Sequence, residues 1–219
     1  MNPSAERPAF PVARWIALAW LVAWSAIYAR WYDPINFLQL CDISIALTCI
    51  GLWRGSSLLL STQAVSSLVI DAAWMIDILA ALTLGRHLVG GTEYMWDTSY
   101  PLWLRLLSLF HVVWPFLLVW ALRRVGYDRR ALFWQSALAA VVMVLSRLTA
   151  PGGNVNFAHA DPFLAKQWGP APVHLALLTA LLVTCVYWPT HAVLKRRLPA
   201  AGPEFRNRGG ASRNGAGSG

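Results

Sequence analysis

Hydrophobic residues in this chain fall into six long runs, separated by short stretches that are polar or rich in glycine and proline. The runs cover residues 15–32, 36–53, 57–84, 102–122, 131–148 and 171–193. Each is close to or above the ~20 apolar residues that a helix needs to cross a bilayer. The pattern therefore predicts an all-α, polytopic integral membrane protein, folded as a six-helix transmembrane bundle.

Proline residues mark where several of the predicted helices begin and end. Asp33 precedes Pro34 and ends the first run, because the residue before a proline is driven away from helical geometry. Pro101 suits the first turn of the fourth helix, where its missing N–H is not needed. The run 57–84 is longer than a crossing requires, so it is either one tilted helix or two helices broken near Ser66.

The sequence divides into three regions. Residues 1–14 form a short N-terminal segment, residues 15–194 form the transmembrane domain, and residues 195–219 form a basic tail rich in Gly, Ser and Asn. A segment with so few apolar residues cannot bury enough surface to fold. We therefore expect the tail to be disordered.

The composition agrees with membrane insertion. Apolar residues make up 57% of the chain and charged residues 13%, against roughly 45–50% and 25% in soluble domains. The 13 tryptophans suit the boundary between hydrocarbon and water, where the indole ring is half wet. Membrane lipids are the expected partners.

The net charge of +8 would also suit a protein that binds nucleic acid, but its distribution argues against that class. Of the 18 Lys and Arg residues, 13 fall at the end of the six-helix bundle that holds both termini. Basic residues concentrate on the cytoplasmic side of membrane proteins. We therefore expect cytoplasmic termini, a place in the plasma or inner membrane, and no nucleic acid partner.

Polar side chains in and beside the runs lie mainly toward the outer, non-cytoplasmic side. They are Cys41, Asp42, Asp77, Arg105, His111, Arg147, Asn154, Asn156, His159 and His174. A charge in the hydrocarbon costs roughly 2.5–3.5 kcal/mol even on lenient scales, so these groups should converge on one hydrated cavity. Within it, Asp77 and Arg105 suit an ion pair between helices. Asp42 could instead pair with Arg105 or Arg147, and we place His174 in the same cavity.

Cys41 and His111 are the candidate catalytic pair. A thiol attacks only as the thiolate, and a nearby imidazole can accept its proton. Asn154 or Asn156 could then orient the imidazole or donate hydrogen bonds to an oxyanion. Both catalytic residues also have a structural interpretation, Cys41 as a small buried side chain and His111 as a donor to a backbone carbonyl. A charged Asp42 beside Cys41 would disfavour the thiolate.

Three segments resemble a group of six-helix membrane proteins. They are FLQLCDI at 37–43, SLFHVVWPFLL at 108–118 and GNVNF at 153–157. Together they place a polar residue and a Cys at the start of the second span, a His in the fourth span and two asparagines in the loop before the last span. The group comprises transmembrane protein 164, its bacterial integral-membrane relatives and the androgen-induced lipid hydrolases.

This resemblance implies acyl transfer or hydrolysis on lipid esters. By position, Cys41 would be the nucleophile, His111 the base, and Asn154 or Asn156 an accessory residue. The bacterial members tend to have Leu-Pro and His just before the Cys, where this chain has FLQ at 37–39. That departure bears on the nucleophile assignment.

A transporter or channel is the main alternative function. It would use Asp71, which lies deeper in its run, together with Asp77, Arg105 and His111 as a charge or proton path. The runs lack the repeated helix breaks of many transporters.

Two further functions are open. A metal-dependent hydrolase would draw on four histidines, but the sequence holds no HxxxH or HExxH pair. Its ligands would be His87, His111, His159 and His174. A non-catalytic membrane partner or assembly factor also fits. We expect no metal and no cofactor, and the spacing of the three cysteines matches no zinc or redox pattern.

Overall fold

The chain folds into helices and their connectors, and the computed structural model describes residues 8–206. Six long helices follow one another: α1 Ala13–Trp31, α2 Leu40–Arg54, α3 Ser57–Leu84, α4 Leu102–Val125, α5 Ala131–Arg147 and α6 Ala171–Arg197. A single last turn, α7, covers Pro203–Arg206. Within residues 8–206 there is no β-strand, only one isolated bridge. The all-α prediction is confirmed.

The other helices pack around α3. It contacts α2, α4, α5 and α6, and buried positions occur along nearly its whole length. Ser56 caps its start by accepting a backbone hydrogen bond (3.3 Å), and Gly85 follows its end in the left-handed conformation. The helix runs unbroken through Ser66 and Ser67, so the run 57–84 is one helix.

The helix directions define two ends of the bundle. The basal end carries the start of α1, the 54–57 turn, the 126–130 loop and the last described residues; the distal end carries the connectors 32–39, 85–101 and 148–170. Aromatic pairs join segments at each end: Phe10 and Trp120 lie 5.4 Å apart at the basal end, and Tyr32 and Tyr100 lie 5.2 Å apart at the distal end. The basal end corresponds to the predicted cytoplasmic side.

Three helices in the described part of the chain, α3, α4 and α6, are long and apolar enough to cross a membrane. With 17 residues α5 is apolar but shorter, and α2 has 15, below the ~20 of a typical crossing. Large apolar side chains on the outer faces are exposed, among them Phe116 at 70% and Phe133 at 68%. These features are compatible with a membrane location.

The helix α2 begins four residues later than the apolar run predicts. Residues Pro34–Leu38 form a separate 3₁₀ turn, which the Asp33 carboxylate caps by accepting a backbone hydrogen bond (3.0 Å). Gln39 is extended, with ψ 133°, and separates this turn from α2. Cys41 and Asp42 therefore lie in the first turn of α2, not two turns inside it.

The segment after α6 is ordered as far as residue 206, which differs from the predicted disorder from residue 195. Residues 195–197 complete α6. Tyr127 N–H donates to Pro199 O (2.7 Å), and Ala201 N–H donates to Tyr127 O (3.1 Å). These backbone pairings tie the segment to the 126–130 loop. The rest of the predicted tail, 207–219, and residues 1–7 lie outside the described residues.

The end of the described chain also reaches α3. The Ser57 hydroxyl donates to Phe205 O (3.4 Å), and Ala201 is buried. The basal end is thus closed by residues that are far apart in sequence.

Gly126 is the basal residue that should be least tolerant of a side chain. Its backbone, with φ 81° and ψ 164°, is open almost only to glycine, and a Cβ there would lie 2.6 Å from Ala200 O. We expect Gly126→Ala to lower the free energy of unfolding by roughly 2 kcal/mol or more. Gly85→Ala is the matched control, because its φ is positive but no atom lies within 4 Å of the added Cβ; it should cost about 1 kcal/mol. Thermal unfolding of the purified variants measures both, and equal losses would contradict a role for the Ala200 contact.

Candidate functional site

Asp71 and His111 form a buried pair that links α3 to α4. Asp71 Oδ1 and His111 Nδ1 are 2.6 Å apart, and the two residues are only 2% and 6% exposed. The imidazole stacks on the Trp74 ring, with the two ring centroids 5.0 Å apart, and also on the ring of Phe110, the preceding residue. Because Asp71 engages Nδ1, Nε2 is the ring nitrogen left to accept or release a proton.

The predicted catalytic residues Cys41 and His111 are not hydrogen-bonded to each other. Cys41 Sγ instead makes a weak contact with Asp42 Oδ1 (3.7 Å). Asp42 is buried, and its Oδ2 has no hydrogen-bond partner among residues 8–206; the same holds for Asp71 Oδ2. Cys41 is still within electrostatic range of Asp71. The thiol and the Asp71–His111 pair are therefore neighbours, with no direct hydrogen bond between them among the described residues.

Tyr94 reaches this group from the connector 85–101. Its hydroxyl accepts a hydrogen bond from Trp74 Nε1 (3.0 Å). Burial raises the pKa of Tyr94 to about 12, so its hydroxyl stays protonated and can donate a further hydrogen bond. We name the whole group the distal cluster: Cys41, Asp42, Asp71, Trp74, Tyr94 and His111.

Asp77 and Arg105 do not form the predicted ion pair. Asp77 accepts hydrogen bonds from the three consecutive N–H groups of residues 88–90 (2.6–3.1 Å). His87 Nδ1 (2.8 Å) and the Thr92 hydroxyl also contact its carboxylate. Arg105 donates to a backbone carbonyl of the same connector (2.5 Å). The connector backbone satisfies the carboxylate, so Asp77 shapes the connector and needs no cation.

Asn154 and Asn156 hold the 148–170 connector in place. The Asn156 side chain bonds the backbone of residues 38 and 40 and the Ser146 hydroxyl (2.7–3.0 Å). The Asn154 side chain bonds the backbone of residues 159 and 160 (2.9–3.1 Å). Both residues have positive φ, which asparagine tolerates better than most residues. Asn156 thereby fixes the start of α2 beside Cys41, and both N–H donors of its amide are used.

Arg147 and His174 brace the same connector. Arg147 donates to a backbone carbonyl of the connector (3.0 Å) and to Gln167 Oε1 (2.7 Å). His174 Nδ1 accepts from Trp168 N–H, and its Nε2 lies 3.1 Å from Phe157 O. With one nitrogen accepting and the other donating, this imidazole is neutral. The predicted single cavity therefore divides: these two residues and the asparagines organise a loop, and Asp42 belongs to the distal cluster.

The described residues contain no group of three or more His, Cys, Asp or Glu side chains placed to hold a metal ion. The histidines of the hypothetical metal site each have a separate partner: His87 contacts Asp77, His111 contacts Asp71, His159 contacts Thr149 O, and His174 contacts Phe157 O. They do not converge.

A second polar group, which the outer-side pattern does not predict, lies in the basal half of the bundle. It consists of Ser66 on α3, Gln135 on α5 and Tyr187 on α6, whose side chains approach one another, with Gln63 about one turn before Ser66 on α3; all four are buried. The available signal in the sequence is Gln135 itself, an amide within an otherwise apolar helix.

No protein-family model, curated protein or solved structure matches this chain. The resemblance to the transmembrane protein 164 group therefore stays a prediction, and function is argued from the geometry of the polar groups.

Asp161 organises the second half of the 148–170 connector. It is 2% exposed, and its carboxylate accepts hydrogen bonds from the N–H groups of residues 163, 164 and 166 (2.7–3.1 Å). Burial by itself would raise the pKa of this carboxyl, but the backbone donors outweigh burial and hold the pKa of Asp161 below its ordinary value.

The lowered pKa of Asp161 predicts a loop that loosens in acid. A carboxyl whose pKa is lower in the folded state stabilises fully above its unfolded pKa of about 3.9 and loses that contribution as the pH falls through the folded pKa. We expect hydrogen-exchange protection of residues 163–166 to decrease below about pH 4. Asp161→Asn should lower this protection at pH 6 and remove the acid dependence. Asp97→Asn, in the other connector, is the control; unchanged protection in Asp161→Asn would contradict the assignment.

Proposed function

We propose that this protein crosses the membrane with all six helices, keeps its termini in the cytoplasm, and moves protons across the membrane through Asp71 and His111. The three long apolar helices and the exposed apolar side chains of α4 and α5 support membrane insertion. The basic residues at the basal end support the orientation.

The observation that carries the proposal is a series of buried polar side chains on several faces of the central helix α3. Its buried polar side chains follow one another from the basal to the distal end: Ser57, Ser61, Thr62, Gln63, Ser66, Ser67, Asp71 and Asp77. Polar groups inside a lipid-facing bundle are costly, and they commonly mark paths for ions, protons or substrates. Because helices pack against α3 on several sides, these side chains lie in the interior of the bundle.

The Asp71–His111 pair provides the group on α3 and its neighbour α4 that can take up and release a proton. Imidazole changes its charge near neutral pH, and a carboxylate on Nδ1 lets it take a proton at Nε2 while Asp71 stabilises the resulting cation. The unpartnered Oδ2 atoms of Asp71 and Asp42 supply further acceptors within the distal cluster. A proton entering the cluster has several places to reside.

Proton uptake into vesicles tests this function. Purified protein is reconstituted with an internal pH-sensitive dye, and a membrane potential is imposed. We expect uptake by the wild type, and a loss of roughly a hundredfold in Asp71→Asn and in His111→Gln, the scale of removing a proton-transfer group. His159→Gln, a histidine of the distal connector, is the control and should keep the wild-type rate. Proton uptake by the wild type that is no faster than uptake by empty vesicles would contradict the proposal.

A lipid acyl hydrolase or acyltransferase is the second candidate, and one observation favours it. Cys41 shares the distal cluster with Asp71 and His111, which together offer a nucleophile, a base and a group that orients the base. The thiol proton would pass to His111 Nε2, sulfur would bond the ester carbonyl carbon, and the C–O bond would break as the leaving alcohol takes that proton. Water or a second alcohol would then release the acyl group. Cys41 Sγ would have to turn from Asp42 toward His111.

An acyl-chain electrophile probe separates the two candidates. If the acyl function is correct, the probe labels the wild type, and Cys41→Ala and His111→Ala each abolish labelling while thermal unfolding stays cooperative. Cys49→Ala is the control, since the Cys49 thiol is buried and bonds Ala17 O (3.2 Å); its labelling should match the wild type. Undiminished labelling of both cluster variants would end this candidate.

A further inference from the structure

We infer that the basal half of the bundle holds a second site, in which Gln63, Ser66, Gln135 and Tyr187 bind water molecules that pass protons between the basal surface and the Asp71–His111 pair. The claim that this water passes protons rests on the proposed function. The claim that water is bound here rests on the burial and hydrogen bonding of the side chains.

Gln135 is the residue that points to a bound molecule. It lies near the basal start of α5 and is 1% exposed, and neither its Nε2 nor its Oε1 has a hydrogen-bond partner in residues 8–206. A buried amide left unpaired costs more than an ordinary hydrogen bond contributes. The group needs a molecule that both accepts and donates hydrogen bonds, and water does both.

Tyr187 faces Gln135 from α6. It is 1% exposed, and its hydroxyl lies near both Gln135 and Ser66. The Tyr187 hydroxyl interacts with the Gln135 amide, but neither amide atom has the distance and angle of a direct hydrogen bond to any of residues 8–206. Polar groups that approach without bonding directly are the arrangement in which a bridging water fits.

The local geometry of α6 explains why Tyr187 is buried. Residues Leu182–Tyr187 form a π-helical segment in which Trp188 N–H donates to Val183 O, and Pro189 follows without an N–H. The wider turn rotates the residues after it about the helix axis. Tyr187 therefore packs inside, while Trp188 is 59% exposed. Such π segments occur frequently at functional sites.

The chemistry of the site favours water over a cation. All four side chains are uncharged, and Thr62, which accepts a hydrogen bond from Gln63 Nε2 (2.9 Å), is neutral as well. A cation held only by neutral groups in an apolar bundle would be an uncompensated charge. Buried water requires two to four polar partners, and these residues provide them.

The site lies between the basal surface and the distal cluster. At 1.5 Å per residue, Ser66 is about 14 Å along α3 from Ser57, and Asp71 is about 8 Å further. Between them, the Ser67 hydroxyl bonds the Ser44 hydroxyl of α2 (2.8 Å). Hydroxyls therefore lie between the proposed water site and Asp71, and water bound at this site would extend the polar groups from the basal half toward Asp71.

The substitution Gln135→Leu tests the site, because it removes both unpartnered atoms with little change in volume. If water is bound, X-ray radiolytic hydroxyl labelling of Tyr187 in the wild type exceeds that of the buried Trp24. In Gln135→Leu this labelling falls toward the Trp24 level, and proton uptake falls about tenfold, the scale of losing one hydrogen-bonded link. Tyr187→Phe should lower uptake similarly and stands in if Gln135→Leu does not fold. Ser136→Ala is the matched control, since that hydroxyl bonds only its own helix at Leu132 O (2.8 Å).

A dry site gives the opposite result. Gln135→Leu would then raise the unfolding temperature, because it removes a buried unpaired group, and would leave labelling and uptake unchanged; that outcome overturns the inference. Strong labelling of Tyr187 in a wild type that takes up no protons refutes the proposed proton transfer and supports the hydrated site. The two failures are thereby distinguishable.

Discussion

The cost of burying polar atoms among apolar helices governs this structure. Where such atoms are paired, they hold elements together, as the Ser44–Ser67 bond joins α2 to α3 and Asp77 gathers the connector backbone. Where they are unpaired, as at the Oδ2 atoms of two aspartates and at the amide of Gln135, the fold retains groups that cost stability. Those places are where chemistry or a bound molecule offers the best explanation.

Much of the helical framework could be predicted because its signals are local. Apolar runs locate the six helices, and α3 matches its run at both ends. The start of α2 could not be predicted this way. Its first N–H is taken by Asn156, 116 residues away, while Asp33 caps a separate turn before it. A contact between such distant residues leaves no trace in a local pattern.

The sequence predicts which residues belong to the site better than it predicts which of them are bonded to each other. A polar residue in an apolar run marks Asp71 and His111 as costly and therefore meaningful. The sequence cannot choose among partners, because several carboxylates and cations compete for the same region, and backbone groups compete as well. At Asp77, backbone N–H groups bond the carboxylate in place of the predicted Arg105. Gln135 and Tyr187 escaped the outer-side pattern because both lie in the basal half of the bundle.

The pairing of Tyr127 with residues 199 and 201 has a consequence for biogenesis. The 126–130 loop and the start of α3 leave the ribosome long before residues 199–205, on which their last backbone contacts depend. Their basal surface therefore stays incomplete throughout synthesis of α5 and α6. The backbone contacts that close the basal end form only after α6 has been made.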